Sequence, residues 1–171
     1  MMYSGTKEAV VDELVRAIKS YLINMLGRTA EEATADEFYK ALCYAIRETT
    51  MINWLATAKT IAQRQARMVY YFSMEYLPGR LFMNNLTNLC SVEVVRIVLQ
   101  SMNRNFRDIA EREDDPGLGN GGLGRLASCL LDSLATQHYP AQGYGLRYQY
   151  GIFEQQLWGG AQVEVPDCWL L

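Results

Sequence analysis

The sequence predicts an α/β protein in which helices come first and strands and helices alternate afterwards. Three observations carry this prediction. Up to about residue 66, apolar residues recur at spacings of three and four. Met68 to Ser73 is a short β-branched and aromatic run. Between Asp115 and Leu126 a glycine-rich turn feeds a further helical pattern. Half of the 171 residues are hydrophobic and 20% are charged, so the chain reads as globular, with one domain and a real core.

The first helix spans Thr6 to Leu26, with Val10, Leu14, Ile18 and Leu22 as its stripe and Gly27 as C-cap. Thr34 and Glu37 have the spacing of a capping box. The helix they open carries Phe38, Leu42, Ala45, Thr49 and Ile52 on one side and is expected to break near Asn53, with a further helical stretch from Trp54 to Ala66. Met68 to Ser73 is nearly all apolar, which suits a central strand covered on both faces. Ser91 is the expected N-cap of a helix to Asn103 with Val94, Val95, Val98 and Met102 inward, and a short helix follows from Asn105 to Glu111. Ala141 to Tyr150 alternates as a strand with Tyr144, Leu146, Tyr148 and Tyr150 on one face. Phe153 to Trp158 and Ala161 to Val165 flank Gly159-Gly160, the signature of a two-residue hairpin.

The loop Asp115-Pro116-Gly117-Leu118-Gly119-Asn120-Gly121-Gly122-Leu123-Gly124-Arg125-Leu126 runs into a helix with Leu123, Leu126, Ala127, Leu130 and Leu134 as its stripe. Free N–H groups at such a helix start, backed by the helix dipole, suit a phosphate or another anion. Glycine lets a ligand approach the backbone. A plain turn is the simpler reading of a glycine cluster. GxGxxG occurs twice, at Gly117/Gly119/Gly122 and at Gly119/Gly121/Gly124, but acids rather than a strand precede it. No acid stands about 20 residues beyond, where a dinucleotide site needs one. With no GK[ST], it is not a P-loop.

The wording from Glu113 through Asp115 and Gly117–Gly124 to Cys129 resembles the glycine loop of the α-glucan phosphorylases. So do Val69–Arg80, Leu131–Thr136, Gly143–Tyr148, Tyr150–Phe153 and Gln162–Trp169, in the same order, over about Glu37 to Trp169. The resemblance implies N-terminal helices (residues 1–66) and then the first part of a Rossmann-like domain (67–171). The complete fold would be a two-domain glycosyltransferase of GT-B type. It implies an enzyme that cleaves the terminal α-1,4 bond of glycogen, starch or maltodextrin with inorganic phosphate and releases glucose 1-phosphate. Pyridoxal 5′-phosphate on a lysine is the implied cofactor, and a homodimer the implied assembly of the full-length enzyme. Gly121 and Gly122 would offer N–H groups to the phosphates, and Leu123 would contact the glucosyl unit. Asn120 and Arg125 would support the loop, and Glu75 would sit near the active site.

Family members are several times longer, so a truncated chain is expected, lacking the cofactor lysine and the second domain and inactive alone. A non-catalytic glucan- or phosphate-binding module, or one half of a split enzyme, is the alternative. Animal members under AMP control carry two glutamines and a tyrosine where this sequence has Ala58, Lys59 and Ala62, and no regulatory phosphoserine tail is recognisable. Neither AMP nor phosphorylation control is therefore expected. Tyr76 and Pro78 vary the family's turn, and Cys168 replaces an expected aspartate.

Composition excludes several other classes. A net charge of −3 gives no reason for a nucleic-acid partner. No apolar run is long enough for a bilayer and no signal peptide is apparent, so a cytoplasmic protein is expected. Cys43, Cys90, Cys129 and Cys168 have no metal-ligand spacing and read as reduced, mostly buried thiols. His138, the only histidine, reads as a capping or packing residue.

Overall fold

A computed structural model describes residues 6–170. Helix α1 (Lys7–Leu26) starts where Thr6 Oγ1 accepts from the Ala9 N–H. It ends at Gly27, whose φ of 63° lets its N–H turn back to the Ile23 carbonyl. The Thr34–Glu37 capping box is formed: Thr34 N–H donates to Glu37 Oε2 (2.8 Å) and Glu37 N–H to Thr34 Oγ1 (3.2 Å). These bonds open α2 (Ala35–Arg64), which runs through Asn53 without the expected break. The 30 residues contain no proline or glycine, and nothing else in the segment removes a helical hydrogen bond. Ile52, placed on the inward stripe by its spacing, is 68% exposed instead.

Strand β1 (Val69–Phe72) follows, then α3 (Phe82–Asn88), which periodicity did not single out. α4 (Val92–Ser101), α5 (Phe106–Ala110) and α6 (Gly122–Thr136) come next, then β2 (Ala141–Tyr144), β3 (Glu154–Trp158) and β4 (Ala161–Val165). Ser91 precedes α4 but does not cap it through its side chain, because its hydroxyl donates to the Leu86 carbonyl. β1 and β2 pair in parallel from Val69–Ala141 to Phe72–Tyr144. β3 and β4 form the expected antiparallel hairpin. Gly159 and Gly160 have φ of 59° and 83°, the left-handed pair a tight two-residue turn requires.

The chain divides into two compact units. One comprises Met1–Lys59 and Leu81–Glu113, and it holds the hydrophobic core. Leu14, Ile18 and Leu22 of α1, Phe38 and Leu42 of α2, Leu86 of α3 and Val95, Val98 and Leu99 of α4 are fully buried there. Arg104 closes part of it, donating through Nη2 to the Ala30 and Ala33 carbonyls while its guanidinium lies over the Phe38 ring. Glu113 caps α3 by accepting from the Leu81 and Phe82 N–H groups.

The other unit comprises Thr60–Arg80 and Asp114–Leu171 and carries both small sheets and the glycine loop. Two sequence expectations fail here. β1 is not covered on both faces: Tyr70 and Phe72, which alternation places on one face, are 55% and 75% exposed. The strand expected over Ala141 to Tyr150 ends at Tyr144, since no described strand pairs with the residues after it. The α6 stripe also faces outward at Leu123, Leu126 and Leu130, whereas Gly124, Ala127 and Ser128 are buried. The four thiols are free, but only Cys43 is even partly buried, which corrects the expectation of mostly buried cysteines.

Candidate active-site loop

The glycine loop is held by the turn that leaves β1. Tyr76 N–H donates to the Leu118 carbonyl (2.9 Å) and Leu77 N–H to that of Gly124 (3.0 Å). Arg125 Nη1 returns two bonds, to the carbonyls of Leu77 (3.2 Å) and Pro78 (3.3 Å). Glu75 Oε2 accepts from the Asn120 N–H at 3.1 Å. Tyr76 supports the same turn from beneath, its hydroxyl donating to the carbonyls of Tyr71 and Tyr144. Burial raises its pKa.

The five glycines of the loop separate into two kinds. A Cβ at Gly117 would lie 2.5 Å from the Trp169 ring and 2.7 Å from the Gly151 backbone. At Gly119 it would meet Leu77 at 2.8 Å, and at Gly124 the Glu75 side chain at 3.1 Å. These three are small because the protein packs against them. Gly121 and Gly122 differ: a Cβ at either would meet nothing within 4 Å, and neither has a positive φ. Nothing within the unit demands glycine at these two positions.

Gly121 is the N-cap of α6 and provides no side-chain capping bond. No acceptor among the described residues meets the N–H groups of Gly121, Gly122 or Leu123. They stand at the positive end of a 15-residue helix. Leu123 is 77% exposed beside them. The structure thus joins Glu75 to Asn120 and Arg125 to the turn after β1, and leaves Gly121, Gly122 and Leu123 open to solvent. No group of histidine, cysteine and carboxylate side chains among the described residues could hold a metal ion.

Beside the loop lies a cavity of about 250 Å³ that sequence reasoning missed. Glu75 and Asn120 border it with Tyr148, Tyr150 and Ile152. The alternating aromatics were its only sequence signal, and their alternation pointed to a strand face rather than to a loop lining a cavity.

Residues 99–171, which include the whole loop, match the family model for carbohydrate phosphorylase. Similar proteins include the glycogen phosphorylase of Pasteurella multocida (strain Pm70), 44% identical over 95% of this chain and 20% of the relative. That of Chlamydia pneumoniae is 44% identical over 94% of this chain and 19% of the relative. The α-1,4 glucan phosphorylase L-2 isozyme of Solanum tuberosum is 46% identical over 77% of this chain and 14% of the relative. A mixed α/β chain with this loop and these similarities is homologous to the carbohydrate phosphorylases. Its counterpart is the N-terminal region of the glycogen and α-glucan phosphorylases, which are glycosyltransferases. The chain spans about a fifth of the length of the curated glycogen phosphorylases it matches. No helix among the described residues is long and apolar enough to cross a membrane.

Proposed function

We propose that this chain is the loop-bearing part of an α-1,4-glucan phosphorylase that releases glucose 1-phosphate from glycogen or maltodextrin with inorganic phosphate. The observation that carries the reading is the pair Gly121 and Gly122, glycine without any demand from the protein's own packing. A ligand that must reach the backbone supplies the missing reason. The N–H groups of Gly121 and Gly122 donate to a phosphate oxygen, and the exposed Leu123 side chain contacts the glucosyl unit. Asn120, tied to Glu75, and Arg125, tied to Leu77 and Pro78, keep these donors in place before the substrate arrives. Fixed dipoles aimed at a reacting phosphate lower its barrier without reorganising. On this reading the β1–β2 pair is the start of a Rossmann-like sheet in a GT-B fold.

Pyridoxal 5′-phosphate fits this chain only in part. The unit carrying the loop has no lysine, since Lys7, Lys19, Lys40 and Lys59 all lie in the other. No Schiff-base nitrogen is available beside the loop. The backbone donors fit a phosphate group and nothing in the unit is committed to a ring. When bound, the cofactor supplies through its own phosphate a proton-transfer partner for the substrate phosphate. Its lysine and the opposing wall of the cleft must come from further polypeptide, so the 171 residues alone are inactive. A second reading, a glucan- or phosphate-binding module completed by another chain, is favoured by the exposed β1–β2 pair.

A hybrid tests the proposal. This sequence replaces the matching region of the Pasteurella multocida relative, and phosphate-dependent release of glucose 1-phosphate from maltoheptaose is followed. The hybrid should be active and the 171-residue chain should not. A folded but inactive hybrid, or phosphorolysis by the chain alone, would refute it.

A further inference from the structure

The glycine loop has a second anchor besides the turn after β1, and it comes from the segment that follows β4. Gly117, Leu118 and Gly119 are half-buried, whereas Asn120 to Leu123 are exposed. A Cβ at Gly117 would stand 2.5 Å from Trp169 Cδ1, 2.8 Å from its Nε1 and 2.7 Å from the Gly151 Cα, so ring and backbone close directly on the loop. Gly151 is fixed in turn: its N–H donates to the Asp167 carbonyl at 3.0 Å, and a Cβ on it would run into the Asp167 carboxylate. Gly151 precedes β3 and Asp167 follows β4, so this bond ties together the two open ends of the hairpin. One residue beyond Gly117, the Leu118 carbonyl accepts from the Tyr76 N–H at 2.9 Å. Two segments far apart in sequence thus grip the loop at adjacent residues. The Trp169 indole N–H is buried without an acceptor among the described residues, so packing and not a hydrogen bond holds the ring there. Burying a donor unpaired is unfavourable, and such departures collect where function constrains a structure.

We propose that Trp169 is a positioning residue: its ring, packed on Gly117 together with the Gly151–Asp167 bond, fixes the loop so that Gly121 and Gly122 present their N–H groups in one orientation. Trp169 acts through Gly117 rather than on a ligand. The use of those N–H groups for a phosphate rests on the phosphorylase reading above. A glycine run left free samples many backbone conformations, and a dipole that must reorient stabilises a charge less than one already in place.

Amide hydrogen exchange on the full chain separates this proposal from the reading it rests on. The Tyr76 and Asn120 amides are the reporters, because their bonds to the Leu118 carbonyl and to Glu75 Oε2 tie the loop to the turn after β1. Trp169→Leu, which keeps apolar volume but loses the flat ring, should raise their exchange about tenfold through local opening. Trp169→Phe should leave it at the parental rate. Exchange over β1 (Val69–Phe72) should change in neither variant. Inorganic phosphate should slow exchange over residues 120–124 in the parent and in Trp169→Phe, whereas Trp169→Leu should need about tenfold more of it. Parental exchange of Tyr76 and Asn120 in Trp169→Leu would overturn the proposal, as would a Trp169→Phe variant that behaves like Trp169→Leu. A rise that extends equally to β1 would also overturn it, since Trp169 would then merely support the fold. So would phosphate protection at the same concentration in all three proteins. Faster exchange of the two reporters in Trp169→Leu alone, with no phosphate effect on any of the proteins, would support the positioning role while counting against the phosphate role of the glycines.

Discussion

Glycine at Gly117 and glycine at Gly121 are the same residue retained for different reasons. At Gly117 a methyl group would strike the Trp169 ring and the Gly151 backbone. Gly117→Ala should therefore destabilise the fold by about 1–3 kcal/mol, the range for forced overpacking. Gly121→Ala should stay within about 0.5 kcal/mol of the parent, as an exposed substitution with open space around it. Urea denaturation of the two variants decides between them, and equal losses would dissolve the distinction. None of this was legible in the sequence, where five glycines in a run look alike. The cysteines make a second residue-scale case. Burial pushes the Cys43 thiol up to about 11, while Cys90, Cys129 and Cys168 are exposed. In the native chain at neutral pH, a disulfide reagent should modify three thiols quickly and Cys43 only on unfolding. Early loss of Cys43 in mass-spectrometric mapping would contradict its placement.

At the scale of elements, the sequence was most readable where a local bond defines an end. Gly27, the Thr34–Glu37 pair and Gly159-Gly160 were all identifiable because each carries its own cap or turn chemistry. It was least readable where tertiary pairing decides. Ala141 to Tyr150 alternates throughout, yet only four residues find a strand to pair with. The helix after Gly27 was expected to break at Asn53, a residue that weakens a helix without stopping one. The end of α3 was hidden, because a non-glycine residue, Cys90, adopts the left-handed backbone just beyond it. The capping box offers a test. Thr34→Ala should cost about 1 kcal/mol. The bond from the Thr34 backbone, helped by Arg28, holds the Glu37 carboxyl below its ordinary value. A lowered folded pKa means that its contribution is present above the unfolded value and is lost as pH falls through the folded one. Thermal melts from pH 7 down to pH 3 should show a shallower acid decline in Glu37→Gln than in the parent. Parallel declines would mean that this carboxylate is not linked to folding.

At the scale of the whole molecule, the exposed apolar surface is unevenly distributed. One unit buries a continuous core, whereas the unit carrying the loop exposes Phe72, Met74, Leu123, Leu157 and Trp158, each at 70% or more. Faces and strand edges of this kind promote association. The isolated chain should elute as oligomers and bind a hydrophobic dye, and a sharp monomer peak without dye binding would contradict this. Sequence patterning could not reveal it, because an apolar stripe such as Leu123–Leu126–Leu130 reads the same whether or not anything covers it.

The central claim is that Gly121 and Gly122 are glycine for a ligand's sake. The most direct test is Gly122→Val in the active hybrid, with melting temperature and glucose 1-phosphate release measured on the same preparation. Turnover should fall about 10²-fold or more, the loss seen when a preorganised donor is displaced, while the melting temperature stays that of the parent. Unchanged turnover, or a melting temperature lowered as far as by Gly117→Ala, would show that the open glycines serve the fold and not the phosphate.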